Sequence, residues 1–104
     1  MTGRRHVRVL QTFFDRLDQL LAEERGVDGA PSSADFLLHD IPAVIDRLAA
    51  SFESSTVPIA DGSDVRVLIT SGHLVDFVAV YSVLARDGAV EIIYLEIGGP
   101  GGNG

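Results

Sequence analysis

The sequence contains no cysteine, no lysine and no tryptophan. The absence of cysteine excludes disulfides, thiol nucleophiles and thiolate metal ligands, and it is compatible with a reducing compartment. No run approaches the ~20 apolar residues that a membrane-spanning helix needs. No apolar segment follows the N-terminal arginines, as one would in a signal peptide. These absences predict a cytoplasmic protein without a membrane contact.

Acidic residues outnumber basic ones, which gives a formal net charge of −7 and a pI near 4.6. Nucleic-acid binding draws much of its affinity from cations that displace counterions along the phosphate backbone. The one basic cluster comprises Arg4, Arg5, His6 and Arg8. It is interpreted as a solvated N-terminal edge, with a nucleic-acid contact as the alternative. We therefore expect no direct nucleic-acid binding.

The chain has 104 residues, of which 46% are hydrophobic and 22% charged. This composition is ordinary for a globular protein, and the length suits one domain with one core. Residues 1–97 are predicted to form that domain. The glycine-rich stretch 98–104 is predicted to be a flexible tail, because glycine loses much conformational entropy on ordering and has no side chain to bury.

The first half of the chain predicts a short strand and two amphipathic helices. Residues His6 to Leu10 alternate loosely between apolar and polar, as an edge strand does. From Thr12 to Ala22, apolar residues recur at three- and four-residue steps and form one helical stripe. A turn-rich linker, Gly26 to Pro31, follows the first helix.

The second helix is predicted from Ser33 to Ser51. The stretch from Ser32 to Asp35 matches a capping box, in which the serine and the carboxylate bond each other's backbone N–H groups. Pro42 interrupts the stripe. We expect either a kink, or a short helix that ends near His39 with Asp40 capping a second one. A loop over Glu53 to Asp64 then leads to the sheet.

Three consecutive strands are predicted in the last third, at 65–69, 77–81 and 90–95. Asp87-Gly88 supplies the positive φ of a tight hairpin turn, so the last two strands are predicted to be antiparallel neighbours. Both faces of the middle strand are substantially apolar. One face must pack on the helices. The other either supports a strongly curved sheet or is an apolar surface for a partner.

The predicted fold is therefore α+β, with an N-terminal strand, two packed helices and a three-stranded antiparallel run in one curved sheet. Over residues 6 to 97 this order resembles the RelE/ParE superfamily of type II toxins. Short patterns carry the resemblance. Ile45 and Leu48 match the family's "Ile-x-x-Leu", and Val65-Arg66-Val67-Leu68 is similar to its "x-Arg-x-Leu" strand. Val78-Ala79-Val80-Tyr81 and Val90-Glu91-Ile92-Ile93 resemble its "Ile-x-x-Tyr" and "Val-x-Ile-Leu", with valine at 78 and isoleucine at 93 instead.

The resemblance implies a growth-inhibiting toxin that a cognate antitoxin neutralises. RelE-like members cut messenger RNA in the ribosome with basic and aromatic side chains, whereas ParE-like members poison DNA gyrase without a hydrolytic site. This chain has no lysine, and Glu96-Ile97 and glycines stand where a basic terminus would be. The departure favours the ParE-like target, gyrase. A RelE-type ribosome-dependent endonuclease is the alternative.

By the resemblance, Arg66, Tyr81 and Arg86 are predicted to bind the antitoxin or the target. Arg66, His73 and Tyr81 are the candidates for a RelE-type catalytic site, in which a histidine titrating near neutrality would serve as acid or base. Each has a structural alternative. Arg66 would pair with a nearby aspartate, His73 would be a solvated loop residue, and Tyr81 would be a partly buried aromatic with a bonded hydroxyl.

No cofactor or metal site is expected. The three histidines, His6, His39 and His73, do not recur at a metal-ligand spacing. The glycines from Gly98 to Gly102 precede no helix that would supply a phosphate-binding dipole. With no nucleophile motif either, the chain does not have the features of an independent enzyme. A second interpretation is thus a non-toxic α+β interaction module that forms a homodimer or docks on a partner protein.

Overall fold

The computed structural model describes residues 4–21, 32–72 and 75–98. It confirms the α+β class. In these residues there are three helices and five strands, rather than the two helices and four strands that were predicted. The order is β1 (Val7–Val9), α1 (Gln11–Leu20), α2 (Ser33–His39), α3 (Ile41–Ser55), β2 (Val57–Pro58), β3 (Arg66–Ser71), β4 (Phe77–Leu84) and β5 (Val90–Gly98).

The strands form one mixed sheet in the order β1-β5-β4-β3-β2. β1 runs parallel to β5, and the other neighbours are antiparallel. The predicted hairpin joins β4 to β5. The Gly88 N–H donates to the Ala85 carbonyl (2.9 Å) and the Ala85 N–H to the Ala89 carbonyl (2.8 Å). Only Gly88 of this turn has positive φ (+87°), so the loop has three residues, with glycine at the left-handed position.

For the second helical stretch, the predicted break into two helices is confirmed, but the predicted capping by Asp40 is not, because its side chain makes no capping hydrogen bond to the second helix. The capping box is present at the start of α2, with Ser32 as N-cap and Asp35 as its partner. The helix ends at His39, and α3 begins one residue after Asp40. Pro42 lies in the first turn of α3, where its missing N–H would have no helical acceptor.

The core lies between the helices and one face of the sheet. Its largest fully buried side chains are Phe13, Leu17, Phe36, Val44, Leu48, Leu68, Val78, Val80, Val90, Ile92 and Leu95, with Phe52 almost as buried. None of the helices among the described residues has the length and apolar character to cross a membrane.

The predicted loop and the predicted tail both extend into regular structure, and two predictions lie partly outside the described residues. The loop predicted over Glu53 to Asp64 contains the last turn of α3 and the two residues of β2, because Val57 pairs with Val67 of β3. A proline is tolerated in β2 because the strand lies at the sheet edge. Gly98 belongs to β5, opposite Phe77. Residues 99–104 and the 26–31 linker lie outside the described ranges.

A buried hydroxyl in β4 leads to a stability prediction. Ser82 is fully buried, and its Oγ has no hydrogen-bond partner among the described residues. Because an unpaired buried hydroxyl costs about 1 kcal/mol or more, Ser82→Ala is expected to raise the free energy of unfolding by about 1 kcal/mol. Urea unfolding measures it. Ser71→Ala, at an exposed position, should change nothing, and a destabilised Ser82→Ala would show that the hydroxyl is satisfied.

Candidate protein-binding face of the sheet

The helices pack on one face of the sheet, and the side chains on the opposite face form what we call the outer face. Strand alternation and register place on it Val57, Val67, Ile69, Ser71, Phe77, Ala79, Tyr81, Val83, Glu91, Tyr94 and Glu96. One row of register partners, Val57, Val67, Tyr81 and Tyr94, crosses four neighbouring strands. The apolar residues of the outer face are therefore adjacent rather than scattered.

Several large apolar side chains of the outer face are exposed to solvent. Ile69 is 62% exposed, Val57 58%, Phe77 44% and Tyr94 39%. Single exposed apolar residues are normal, but a contiguous group on one face indicates an interaction surface. The outer face thus has the character of a surface that another macromolecule covers.

An aromatic and arginine cluster lies beside this apolar row. The Tyr81 and Tyr94 rings meet edge to face at 5.7 Å. The guanidinium of Arg16, from α1, lies 4.9 Å from the centre of the Tyr94 ring and donates to Glu96 at 2.6 Å. Tyrosine and arginine dominate the binding energy of many protein interfaces, since they combine large contact area with fixed polar groups.

Arg16 is fixed in place by the edge of β5. β1 pairs with only Val90 to Ile92 of β5, and α1 follows the remaining edge. There Arg16 Nε donates to the Leu95 carbonyl (3.2 Å), while the Thr12 hydroxyl donates to the Ile93 carbonyl (2.7 Å). These bonds orient the guanidinium over Tyr94 before any partner arrives.

Arg66 lies on the helix side of the sheet and holds the end of α3. Its Nε donates to the Thr56 hydroxyl (2.7 Å), and one terminal nitrogen donates to the carbonyls of Thr56 (2.8 Å) and Glu53 (3.2 Å). The guanidinium also lies 5.7 Å from the centre of the Phe52 ring. Its partners are therefore main-chain and hydroxyl groups at a helix C-terminus, where cations are favoured, rather than the expected aspartate.

The structure does not bring the predicted site residues together. Arg66 pairs across β3 and β4 with Ser82 on the core side, whereas Tyr81 is on the outer face, so the two side chains lie on opposite sides of the sheet. Arg86 is exposed in the β4–β5 turn and has no hydrogen bond or ion pair within the described ranges. His73 lies outside them.

One open cleft, of about 610 Å³, lies at the end of the sheet near α3. It is lined by Phe52, Ser63, Asp64, Arg66, Val83 and Leu84. The Ser63 hydroxyl already accepts the Val65 N–H at 3.1 Å, and Arg66 is committed to α3. Among the described residues, no hydrogen bond joins the Ser63 hydroxyl to Asp64 or another base of this cleft.

The N-terminal arginines form ion pairs with carboxylates of this chain. Arg4 bonds Asp46 (2.9 Å), Arg5 bonds Glu53 (2.7 Å), and Arg8 bonds both Asp87 (3.0 Å) and Glu91 (3.1 Å). These pairs neutralise the cluster that was considered for nucleic-acid contact. They tie β1 to α3 and to the β4–β5 hairpin.

The Arg8–Asp87 pair predicts an acid dependence of stability. The Arg8 hydrogen bonds, then the Ala89 N–H, lower the pKa of Asp87 below its ordinary 3.8. Since the folded pKa is the lower one, the ionised carboxylate stabilises the fold above the unfolded pKa, and this contribution is lost as pH falls through the folded pKa. In urea unfolding at neutral pH, wild type should therefore have a higher free energy of unfolding than Asp87→Asn. In acid the two values should be equal. A gap that persists in acid would contradict this.

Within the part of the chain that the structure describes, no three histidine, aspartate or glutamate side chains are grouped as a metal site.

Comparisons with protein-family models, curated proteins and solved structures find no match to this chain. The resemblance to RelE/ParE toxins therefore rests on the order of the elements and on the short residue patterns alone.

Tyr81, which was predicted from the sequence, lies on the outer face, but most of the other residues of this face were not predicted. Ile69, Phe77, Tyr94 and Arg16 were not among the predicted binding residues. The sequence did show that both faces of β4 are apolar. This pattern indicated that one apolar face would be left uncovered by the helices, but not which one. Arg16 gave no signal, because its role depends on how α1 follows β5.

Proposed function

We propose that this chain is a cytoplasmic protein-binding domain of the RelE/ParE type. In this proposal it is the toxin of a type II toxin-antitoxin system, acts by occupying DNA gyrase, and is neutralised by a cognate antitoxin. The observation that supports it best is the outer face, where exposed Ile69 and Phe77 adjoin the Tyr81, Tyr94 and Arg16 cluster. Such a surface suits a protein partner rather than a small substrate.

The electrostatics also favour a protein target over a ribosome-dependent nuclease. The net charge is −7, and Arg4, Arg5, Arg8 and Arg16 are paired with carboxylates of the chain. A surface that binds RNA needs unpaired cationic side chains that can displace the counterions of the phosphate backbone. Arg66 and Tyr81, on opposite sides of the sheet, also make a poor catalytic pair for a RelE-type reaction.

The second candidate is a non-toxic interaction module with the same outer face. The exposed apolar side chains of this face, Val57, Ile69 and Phe77, favour it equally, because such a group on one face indicates an interaction surface without specifying the partner. The two candidates differ in what expression does to a cell, and in whether a neighbouring gene encodes an antitoxin.

Inducible expression in a bacterial host, with and without the neighbouring open reading frame, separates these functions. The proposal predicts growth arrest with filamentation, because blocked gyrase interrupts chromosome segregation, and relief of the arrest by the neighbour. Arrest without filamentation, accompanied by site-specific cleavage of ribosome-associated RNA, would support the RelE-type alternative. Normal growth at good soluble expression would support the non-toxic module.

A further inference from the structure

One edge of the sheet has backbone groups that no described strand pairs. β2 pairs with only Val67 and Arg66 of β3. From Leu68 to Ser71, β3 has β4 on one side and no strand on the other among the described residues. This stretch is the open edge of the sheet.

The register shows which backbone groups the open edge presents. In an antiparallel ladder each residue directs its N–H and C=O to the same neighbour, and the direction alternates along the strand. The Ile59 N–H donates to the Val65 carbonyl at 3.1 Å, and Val57 pairs with Val67. The backbone N–H and C=O groups of Val65 and Val67 are therefore directed toward β2. Ile69 and Ser71 continue the series. Their N–H and C=O groups therefore face outward beyond the end of β2.

On the opposite side of the sheet, α1 covers the part of β5 that extends beyond β1. Thr12 and Arg16 of α1 bond the edge carbonyls of Ile93 and Leu95. Proteins commonly protect edges with such caps, or with lysine, proline or inward charge. The stretch from Leu68 to Ser71 contains neither charge nor proline, and Ile69 within it is 62% exposed. This edge is suited to accept another strand.

We propose that the open edge binds the same edge of a second copy of this chain, antiparallel, about a two-fold axis at Thr70. Ile69 then pairs with Ser71 of the second copy, and Ser71 with its Ile69, through the outward backbone groups. β2 sets this register, because a strand shifted toward Val67 would collide with the residues already paired there. The edge is self-complementary, as a two-fold interface requires.

Because the open edge contains no charged residue, it suits a second copy of this chain better than a charged peptide. Like charges directly opposite destabilise a strand pair, and self-pairing of Leu-Ile-Thr-Ser brings none together. The open edge also offers no charged group by which a basic or acidic segment would be recognised. Because only three residues of each copy pair, the dimer is weak and concentration-dependent. The dimer leaves Tyr94, which lies two strands away, uncovered. The dimer proposal therefore does not depend on the proposed function.

Sedimentation of the purified chain over a wide concentration range, combined with residue-resolved amide hydrogen exchange, tests the proposal. The expected result is a monomer–dimer equilibrium in which exchange at Ile69 and Ser71 slows as dimer forms. The amides of Leu68 and Thr70, which face β4, should be protected at all concentrations. A monomer throughout, or a dimer with unprotected Ile69 and Ser71, would overturn it. Protection only after another protein is added would also overturn it.

A variant with a charge at the open edge tests the same proposal. Ile69→Lys should raise the dimer dissociation constant about tenfold, since edge lysines oppose strand pairing. Leu38→Lys is the matched control, because Leu38 is 70% exposed and lies on α2 rather than in the sheet. An equal effect of the two variants would assign the dimer to general hydrophobic association and contradict the edge.

Discussion

Arg66→Ala is expected to lower the free energy of unfolding by about 2–3 kcal/mol, because it removes charge-assisted hydrogen bonds to the end of α3. The guanidinium bonds the Thr56 hydroxyl and the carbonyls of Thr56 and Glu53, and it lies over Phe52. Urea unfolding followed by circular dichroism measures the effect. The carbonyls that lose their donor belong to the last turn of the helix, so α3 should fray first.

Arg86→Ala is the matched control. It removes the same charge from an exposed turn residue without a bonding partner in the described structure, so it should change stability by less than about 0.5 kcal/mol. Arg66→Lys should recover only part of the loss, because an ammonium cannot bond three acceptors in the fixed directions of a guanidinium. If Arg66→Ala and Arg86→Ala are equally stable, Arg66 does not hold α3.

These variants also change how a loss of toxicity is interpreted. The resemblance to RelE/ParE toxins predicts that Arg66 is a binding residue, whereas its observed bonds hold the end of α3. An Arg66→Ala protein that fails to arrest growth could have lost its fold rather than its contact with the target. Arg86→Ala is free of this ambiguity, because Arg86 contributes no described contact to the fold.

Under the proposed toxin function, Tyr94→Ala is expected to abolish growth arrest while the protein stays folded. Tyr94 lies at the centre of the aromatic and arginine cluster, and truncating such anchors in interfaces costs about 2 kcal/mol or more of binding, which is at least about thirtyfold in affinity. The cost to the fold is about 1 kcal/mol, from the lost contacts with Tyr81 and Arg16. Growth after induction measures the first effect and thermal unfolding the second.

Leu38→Ala separates the outer face from general surface hydrophobicity. Leu38 is more exposed than Tyr94 but lies on α2, so this variant should arrest growth as wild type does. Tyr94→Phe should retain most of the activity, because the ring and its contact with Arg16 remain. Full toxicity of a folded Tyr94→Ala protein would remove the outer face from the target contact.

The sequence predicted the features that depend on local patterns. The capping box at Ser32 and Asp35, the break at Asp40 and the hairpin at Gly88 each follow from residues within a few positions of one another. Hydrophobic periodicity located α1 and the three long strands for the same reason. These elements were enough to predict the α+β class.

Features that depend on distant pairing were not predictable. β2 has two residues and forms only because Val57 meets Val67 across the sheet edge. In β5, the register shifts opposite Tyr81 and Ser82, so Tyr94 shares the outer face with Glu91 rather than alternating away from it. Such a bulge adds one residue without any pattern in the sequence. The outer face could therefore not be assembled before the structure was known.

The most direct test of the central claim is DNA supercoiling by purified gyrase in the presence of the purified chain. The account predicts that wild type and Leu38→Ala inhibit supercoiling, and that a folded Tyr94→Ala protein does so at least about thirtyfold more weakly. Undiminished supercoiling with excess wild-type chain would contradict gyrase as the target. Equal inhibition by wild type and Tyr94→Ala would contradict the outer face as the surface that binds it.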